Sequence, residues 1–312
     1  MAYSSIHLDR LRLRHLRLLE LIEQHHSLRS VAEEFNLTQP AVSQMVKSLE
    51  VAFGTALVDR SVKGAELTVA GRHALNRARA GLAIFDHLAS ELSEDKPSLL
   101  KIGCNPAVTY NLLPEAMKEL DIIGANLHVS IMTGMVGAMI SQLLDGTQDC
   151  YIGRVDWDYI PKDMAPLLKM TPLIDTQLTI ACAASHPLAT QKNVSAQELL
   201  NWPWALTPAP TNNRMAIEVG FRNCGLTPPE PIIEMAADPN ALVALAVRMP
   251  VLICIPRFAI DTLPNTSKMI ELDTPDLKLL PIQTSLLTLV ETYDLPSVQI
   301  LREALLQTVS RL

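Results

Sequence analysis

Between Val31 and Leu49, apolar residues recur at helical spacing in two bursts, Val31, Ala32 and Phe35, then Val42, Val46 and Leu49, separated only by Asn36-Leu37-Thr38. So short a break leaves two helices little choice of geometry: the second crosses the first, with one face on a shared core and the other turned outward. Thr38 suits the N-cap of the second helix, and Pro40 falls in its first turn, where a missing N–H costs nothing. A third burst, Leu13, Leu16, Leu19 and Ile22, precedes them and stops at His25-His26-Ser27, so three short helices are expected. Residues 59–68 then read as a two-stranded wing that turns at Lys63-Gly64.

If Val42, Val46 and Leu49 face inward, the second helix of the pair shows Gln39, Pro40, Ser43, Gln44 and Lys47 to solvent, with no acid before Glu50. The major groove of DNA admits one helix, whose polar side chains meet base edges; Gln39 and Gln44 suit bases and Lys47 suits a phosphate. Ser27, Arg29 and Ser30 open the preceding helix and suit phosphates, while Arg60 and Lys63 of the wing suit the backbone or a minor groove. Singly, each residue reads as part of a solvated helix face; jointly, they point to DNA.

The net charge of -7 runs against that reading until it is divided. Residues 1–80 carry 11 Lys/Arg and 8 Asp/Glu, a surplus of three positive charges, and residues 81–312 carry 15 and 25, a surplus of ten negative. A modest basic excess at one end fits a DNA-contacting unit joined to a larger unit with another task.

From Val69 to Leu92 the spacing lengthens to seven, with Leu75, Leu82 and Ala89 in one register and Ala78, Phe85 and Leu92 in the other. This is a short coiled-coil seam that expects a second copy; the alternative is a helix packed on its own domain. A polar run, Ser93 to Ser98, ends it. Beyond Pro97, strand-like and helix-like segments alternate, which predicts α/β sheets with crossover connections. Strands are expected at 99–104, 127–132, 150–154, 177–183, 204–207, 232–235, 251–255 and 286–290. Helices are expected at 112–120, 136–144, 196–200, 214–223, 240–248 and 297–312, with Ser195 and Glu198 forming a capping box.

Catalysis finds no foothold: GxGxxG, GxxxxGK[ST], GxSxG and HExxH are absent, and neither catalytic nor metal-binding residues are expected. Cys104, Cys150, Cys182, Cys224 and Cys254 are scattered, without CxxC or nearby His, and read as small buried hydrophobes. No apolar run reaches bilayer length, and the charged start MAYSSIHLDRLRLRHLRLL lacks an export signal's apolar stretch, so a cytoplasmic protein without a membrane partner is expected.

Ser27-Leu28-Arg29-Ser30-Val31-Ala32, Leu37-Thr38-Gln39-Pro40-Ala41-Val42-Ser43, Leu49-Glu50, Phe53-Gly54, Leu57-Val58-Asp59-Arg60 and Leu67-Thr68-Val69-Ala70-Gly71 together resemble the N-terminal signature of LysR-type transcriptional regulators. Val58 stands where that family usually has Phe, and Gln44 where Arg or Lys is common. Farther on, Ile102-Gly103, Leu112-Leu113-Pro114, Asp149 to Arg154 and His186-Pro187-Leu188-Ala189 follow the family's order more loosely, and Arg248-Met249 replaces a Gly-rich turn.

The resemblance implies a mixed α/β architecture. An all-α winged helix-turn-helix domain (1–68) leads to a long dimerising linker helix and hinge (69–97) and to a two-lobed effector-binding domain (98–312) like a type 2 periplasmic binding protein. One lobe would comprise 98–163 and 272–312, the other 164–271. Loops that follow strand ends and open helices present free N–H groups. By resemblance, the effector would therefore meet Asn105, Pro106, Ala107 and Thr109, then Thr133 and Gly134, then Thr207, Pro208 and Asn212. Thr109 is equally placed to be only a helix cap, and Arg154 either receives a carboxylate or joins the lobes through a salt bridge. The function implied is a regulator without a cofactor, controlled by a small, aromatic carboxylate effector. Its partners would be double-stranded DNA at an interrupted palindrome, RNA polymerase and further copies of itself, as a dimer of dimers. A solute-binding protein or an α/β enzyme is the alternative.

Overall fold

The computed structural model describes residues 8–61, 64–92, 97–120, 127–236, 238–262 and 268–311. Lys63 and the first seven residues lie outside them, as do most of the linker's polar run and Leu312.

Helices α1 (Leu13–His25), α2 (Leu28–Glu34) and α3 (Gln39–Phe53) are followed by the wing strands β1 (Val58–Ser61) and β2 (Gly64–Leu67) and the long helix α4 (Val69–Glu91). Leu18, Leu19, Ile22, Val31, Val42, Val46 and Leu49 form one core, as their spacing requires. The Thr68 hydroxyl accepts from Gly71 N–H at 2.9 Å and donates to the Ala56 carbonyl at 2.9 Å, which caps α4 and ties it to the loop before the wing. Gly71 is required there because a Cβ would stand 2.0 Å from the Leu57 carbonyl oxygen.

Helix α4 has three environments along its length. Leu75 and Ala78 belong to the N-terminal core. Ala80 packs with Met139, Ile140 and Leu143 of the next unit, and Gly146 comes so close that a Cβ would lie 2.7 Å from Ala80 N. Phe85, Leu88 and Leu92 are then exposed by 49%, 47% and 77%. The uniform dimer seam expected from the heptads is thus corrected: Leu75, Ala78 and Leu82 are buried inside their own chain, whereas Phe85, Ala89 and Leu92 remain exposed. A seven-residue repeat marks a buried stripe without saying whose surface buries it. Helix α1 lies along the first half.

The larger unit has two five-stranded sheets. The first contains β3 (Ser98–Cys104), β4 (Leu127–Thr133), β5 (Cys150–Gly153), β6 (Leu168–Thr176) and β12 (Ile282–Leu289), in the order β4-β3-β5-β12-β6. Strands β3, β4 and β5 run parallel, and β12 is antiparallel to both of its neighbours. Helices α5 (Leu112–Glu119) and α11 (Pro296–Val309) cover one face; α6 (Val136–Leu144) covers the other. The second sheet orders β11 (Met269–Glu271), β7 (Leu178–Ala183), β10 (Leu252–Pro256), β8 (Trp204–Leu206) and β9 (Ile233–Glu234). It packs against α7 (Ala196–Leu199), α8 (Asn212–Asn223), α9 (Pro239–Ala246) and α10 (Ala259–Thr262).

Strand β6 pairs with β12 over its whole length, from Leu168 opposite Leu289 to Thr176 opposite Ile282, so 164–176 sits with the first lobe rather than the second. Leu272 and Leu277, assigned to the first lobe from sequence, pack in the core of the second. Strand β6 escaped notice because it is an edge strand with alternating exposure and carries Pro172 where the register with β12 shifts. The capping box is half formed: Ser195 Oγ accepts from Glu198 N–H at 3.2 Å, but the Glu198 carboxylate takes the Gln191 amide at 2.8 Å.

Candidate nucleic-acid interface and ligand cleft

On α3 the buried face is Val42, Met45, Val46, Leu49 and Ala52, which leaves Gln39, Pro40, Gln44 and Lys47 exposed and Ser43 half-buried. Thr38 occupies the N-cap position, but its hydroxyl makes no capping bond, so the helix start stays open. Gln39 Nε2 donates to Ser43 Oγ at 3.3 Å, and the Arg60 guanidinium reaches the Ser43 carbonyl at 3.5 Å, bringing the wing over the helix. Ser27, Arg29, Gln39, Arg60 and Gly64 line one open groove of about 590 Å³. Ser27 is also the N-cap of α2, accepting from Ser30 N–H at 3.4 Å. Arg29 lies 3.4 Å from Glu33, and that pair is so exposed that it holds the arginine only weakly.

Glu50, the one acid on α3, does not interrupt this face. Its Oε1 accepts from Leu57 N–H at 2.9 Å and from Val58 N–H at 3.2 Å, so the carboxylate anchors the strand entering the wing. Sequence reasoning placed Glu50 only as the end of the acid-free run; the loop that returns to meet it could not be seen from helical spacing.

Between the lobes lies a cavity of about 170 Å³. Asn105, Pro106 and Ala107 after β3, Gly134 after β4, and Thr207 and Asn212 from the second lobe line it, as expected. Thr133, Thr109 and Pro208 do not. Thr109 donates to the Pro106 carbonyl at 2.7 Å and is a cap, and Thr133 is the exposed end of an edge strand. Arg154 is also absent from this cavity and lines a separate groove with Trp157 and Met170. Its place at a strand end was legible, but the direction its side chain takes was not.

Residues missed from sequence complete the cleft: Ile174 and Thr176 from β6, Ile282 and Thr284 from β12, and Met135, Val136, Asp156, Tyr159, Thr211 and Phe258. Strands β6 and β12 cross between the lobes; overlooking β6 concealed Ile174 and Thr176, and starting the last strand at 286 left out Ile282 and Thr284. Helices α6 and α8 begin at Met135 and Thr211 without a side-chain cap and open into the cavity from opposite lobes. Among the described residues, no Lys or Arg lines the cavity and Asp156 is its one charged residue, already accepting from Asp158 N–H at 3.1 Å. The Tyr110 ring packs against the core of the second lobe, with its phenol beside the carboxylate of Asp238, the N-cap of α9. Loss of solvent and the Asp238 charge raise the Tyr110 phenol above its ordinary pKa.

Residues 93–310 match the LysR substrate binding domain, and residues 13–72 match the bacterial regulatory helix-turn-helix protein of the lysR family. The chain belongs to the LysR family. It is 26% identical to the HTH-type transcriptional regulator GbpR of Azospirillum brasilense over 76% of this chain and 69% of that one. It is 27% identical to the HTH-type transcriptional regulator YdcI of Escherichia coli over 75% of this chain and 76% of that one. Among solved structures, ArgP from Mycobacterium tuberculosis has a TM-score of 0.74 at 17% identity, covering 96% of this chain and 97% of that one, a likeness of fold alone.

The LysR-family assignment accounts for both sites: a helix-turn-helix unit and an effector-binding domain, in a transcriptional regulator rather than an enzyme. Among the described residues, no His, Cys, Asp and Glu cluster suits a metal, and no helix is long and apolar enough to cross a membrane.

Proposed function

We propose that this regulator reads an interrupted palindrome in double-stranded DNA through Thr38–Lys47 and is controlled by a small carboxylate in the interlobe cleft. The observation that carries the DNA reading is the outward face of α3: Gln39, Gln44 and Lys47 are exposed, and Glu50, its one acid, is engaged with the wing backbone. Gln39 and Gln44 read bases, Lys47, Arg29 and Arg60 hold phosphates, and Ser27 and Ser30 set the start of α2 against the backbone. Lys63 of the wing belongs to the same proposal. A LysR-family regulator, CbnR, has been solved in complex with its target DNA, and its fold matches this chain with a TM-score of 0.61 at 18% identity, over 96% of this chain and 99% of that one. That likeness supports the arrangement.

Half-sites require two copies. The exposed Phe85, Leu88, Ala89 and Leu92 supply an apolar stripe for pairing α4 with a second copy, and a dimer of dimers with access to RNA polymerase extends this proposal. In the cleft, the open N-termini of α6 and α8 offer N–H groups and positive dipole ends to an anion, and the apolar walls suit a flat body such as an aromatic ring. This supports an aromatic carboxylate bound without a cation.

Footprinting of the full chain on the promoter beside its own gene tests the DNA reading; no protection at moderate salt refutes it. Lys47→Ala should weaken all sites alike and reduce the slope of log affinity against log salt by about 0.9, whereas Gln44→Ala should change base preference. Thermal-shift screening against small carboxylates tests the cleft, since a ligand at about 100 times its Kd stabilises by roughly 2.7 kcal/mol.

A further inference from the structure

We propose a second ligand groove, behind the crossing strands and distinct from the interlobe cleft, that takes a small amphipathic carboxylate on Arg154. The groove encloses about 330 Å³ and is lined by Arg154, Trp157, Met170, Met215 and Leu280. The four apolar side chains are exposed by 52%, 41%, 41% and 59%. Single exposed apolar residues need no explanation, but four around one guanidinium form a patch of the kind that marks a binding site.

Arg154 is half-buried at the end of β5. Its backbone carbonyl accepts from the Tyr151 hydroxyl at 3.1 Å, but its guanidinium has neither hydrogen bond nor ion pair among the described residues. Every other arginine of the two lobes has one. Arg214 and Arg222 hold Glu218, Arg257 holds Glu271, and Arg311 holds Glu119. Arg248 donates to the Ala244 carbonyl and Arg302 to the Tyr293 carbonyl. Residues 81–312 contain 25 acids and 15 bases, and a guanidinium left with neither a carboxylate nor a carbonyl is the exception among the described arginines there.

The chemistry of the occupant follows from these walls. A guanidinium fork binds a carboxylate through two parallel N–H···O bonds. The indole of Trp157 and the thioethers of Met170 and Met215 suit a flat or short apolar body. The volume limits the occupant to one small molecule. Asn212 and Ile282 line both this groove and the interlobe cleft, so a molecule in the groove touches the start of α8 and of β12, as the cleft's ligand does. Occupancy of one site therefore alters the other through shared walls, a coupling that is reciprocal.

Trp157 reports on the groove. Benzoate is titrated into the full chain, with benzamide as the uncharged control, and the Trp157 signal is taken as the difference between the parent emission and that of Trp157→Phe. The expected result is a saturable change with millimolar benzoate and none with benzamide. Arg154→Gln should weaken it about tenfold or more, and Arg154→Lys, which keeps charge but loses the fork, should fall between. Absence of a response to millimolar benzoate, or one that Arg154→Gln leaves unchanged with circular dichroism intact, overturns the proposal. A Trp157 signal that follows protein concentration rather than benzoate shows that a second copy covers the groove, and overturns it equally.

Discussion

His87 of α4 and Asp149, the residue before β5, meet at 3.0 Å, and both side chains are buried. The other Asp149 oxygen accepts from Lys101 N–H at 2.7 Å, and the Thr292 hydroxyl donates to its carbonyl at 3.2 Å. Eight residues from Asp149 along the chain, Trp157 lines the groove, and Asp156 lines the cleft. Arg77 and Glu291 make a second tie at 2.5 Å, at the end of β12 opposite the cleft residues Ile282 and Thr284. The sheet of the first lobe thus has the cleft at one end and α4 at the other.

Replacing His87 by Ala leaves one oxygen of a buried carboxylate without its partner, which costs about 1–3 kcal/mol. His87→Ala should lower Tm and loosen the hold of the first lobe on α4, so that effector no longer changes promoter occupancy while effector-free DNA affinity persists. Promoter binding measured with and without effector checks this; a His87→Ala protein with full effector response would deny the tie any part in coupling.

Glu50 holds the wing by two backbone N–H groups. Glu50→Ala removes the oxygen that accepts both bonds and should weaken operator binding about five- to thirty-fold by freeing the wing, equivalent to roughly 1–2 kcal/mol. Glu50→Gln keeps one neutral acceptor and should lose less. If the outward acid were merely repelling DNA, Glu50→Ala would tighten binding instead, and a gel-shift titration separates the two outcomes.

Tyr110, which follows β3 of the first lobe, packs against the core of the second lobe beside Asp238. Tyr110→Phe keeps that packing and removes the hydroxyl that faces Asp238, so the closed arrangement should be weakened. The expected effect is an apparent effector affinity several-fold weaker with unchanged operator affinity. Calorimetric titration of effector into both proteins checks it.

Burial pushes the Cys104 and Cys182 thiols up to about 11 and Cys254 up to about 12, and it raises Cys150 well above the ordinary thiol range. The reactive form is the thiolate, so these four should resist alkylation at pH 7 to 8 and gain reactivity only as pH rises toward those values. Cys224, half-exposed, should label first. One fast thiol per native chain, and all five in denaturant, is the expected count with a thiol reagent.

The N-terminal unit was legible because three local signals coincide: helical spacing, a break of three residues at Asn36, and Thr38 before Pro40 at the start of the second helix of the pair. The strands of the lobes were legible where apolar runs are continuous, as in Leu252–Pro256. Strand β6 was not, because Lys169, Pro172 and Asp175 on an edge strand give no apolar run, and the cleft residues Ile174 and Thr176 went with it. The role of Arg154 turned on where its side chain points, and the first half of the α4 seam on which surface meets it. Both are tertiary facts that spacing along the chain does not encode.

Because α4 contributes Leu75 and Ala78 to one core and Ala80 to another, its two attachments are only a few residues apart. A chimera made by exchanging DNA readers between regulators would therefore fail if spliced at residue 68, where the graft would arrive without part of its own interior. A splice after Leu92 carries the foreign helix intact but brings a stranger's side chains against Gly146 and Asp149. Such fusions succeed only when the segment from Ala78 to His87 is treated as belonging to both donors at once.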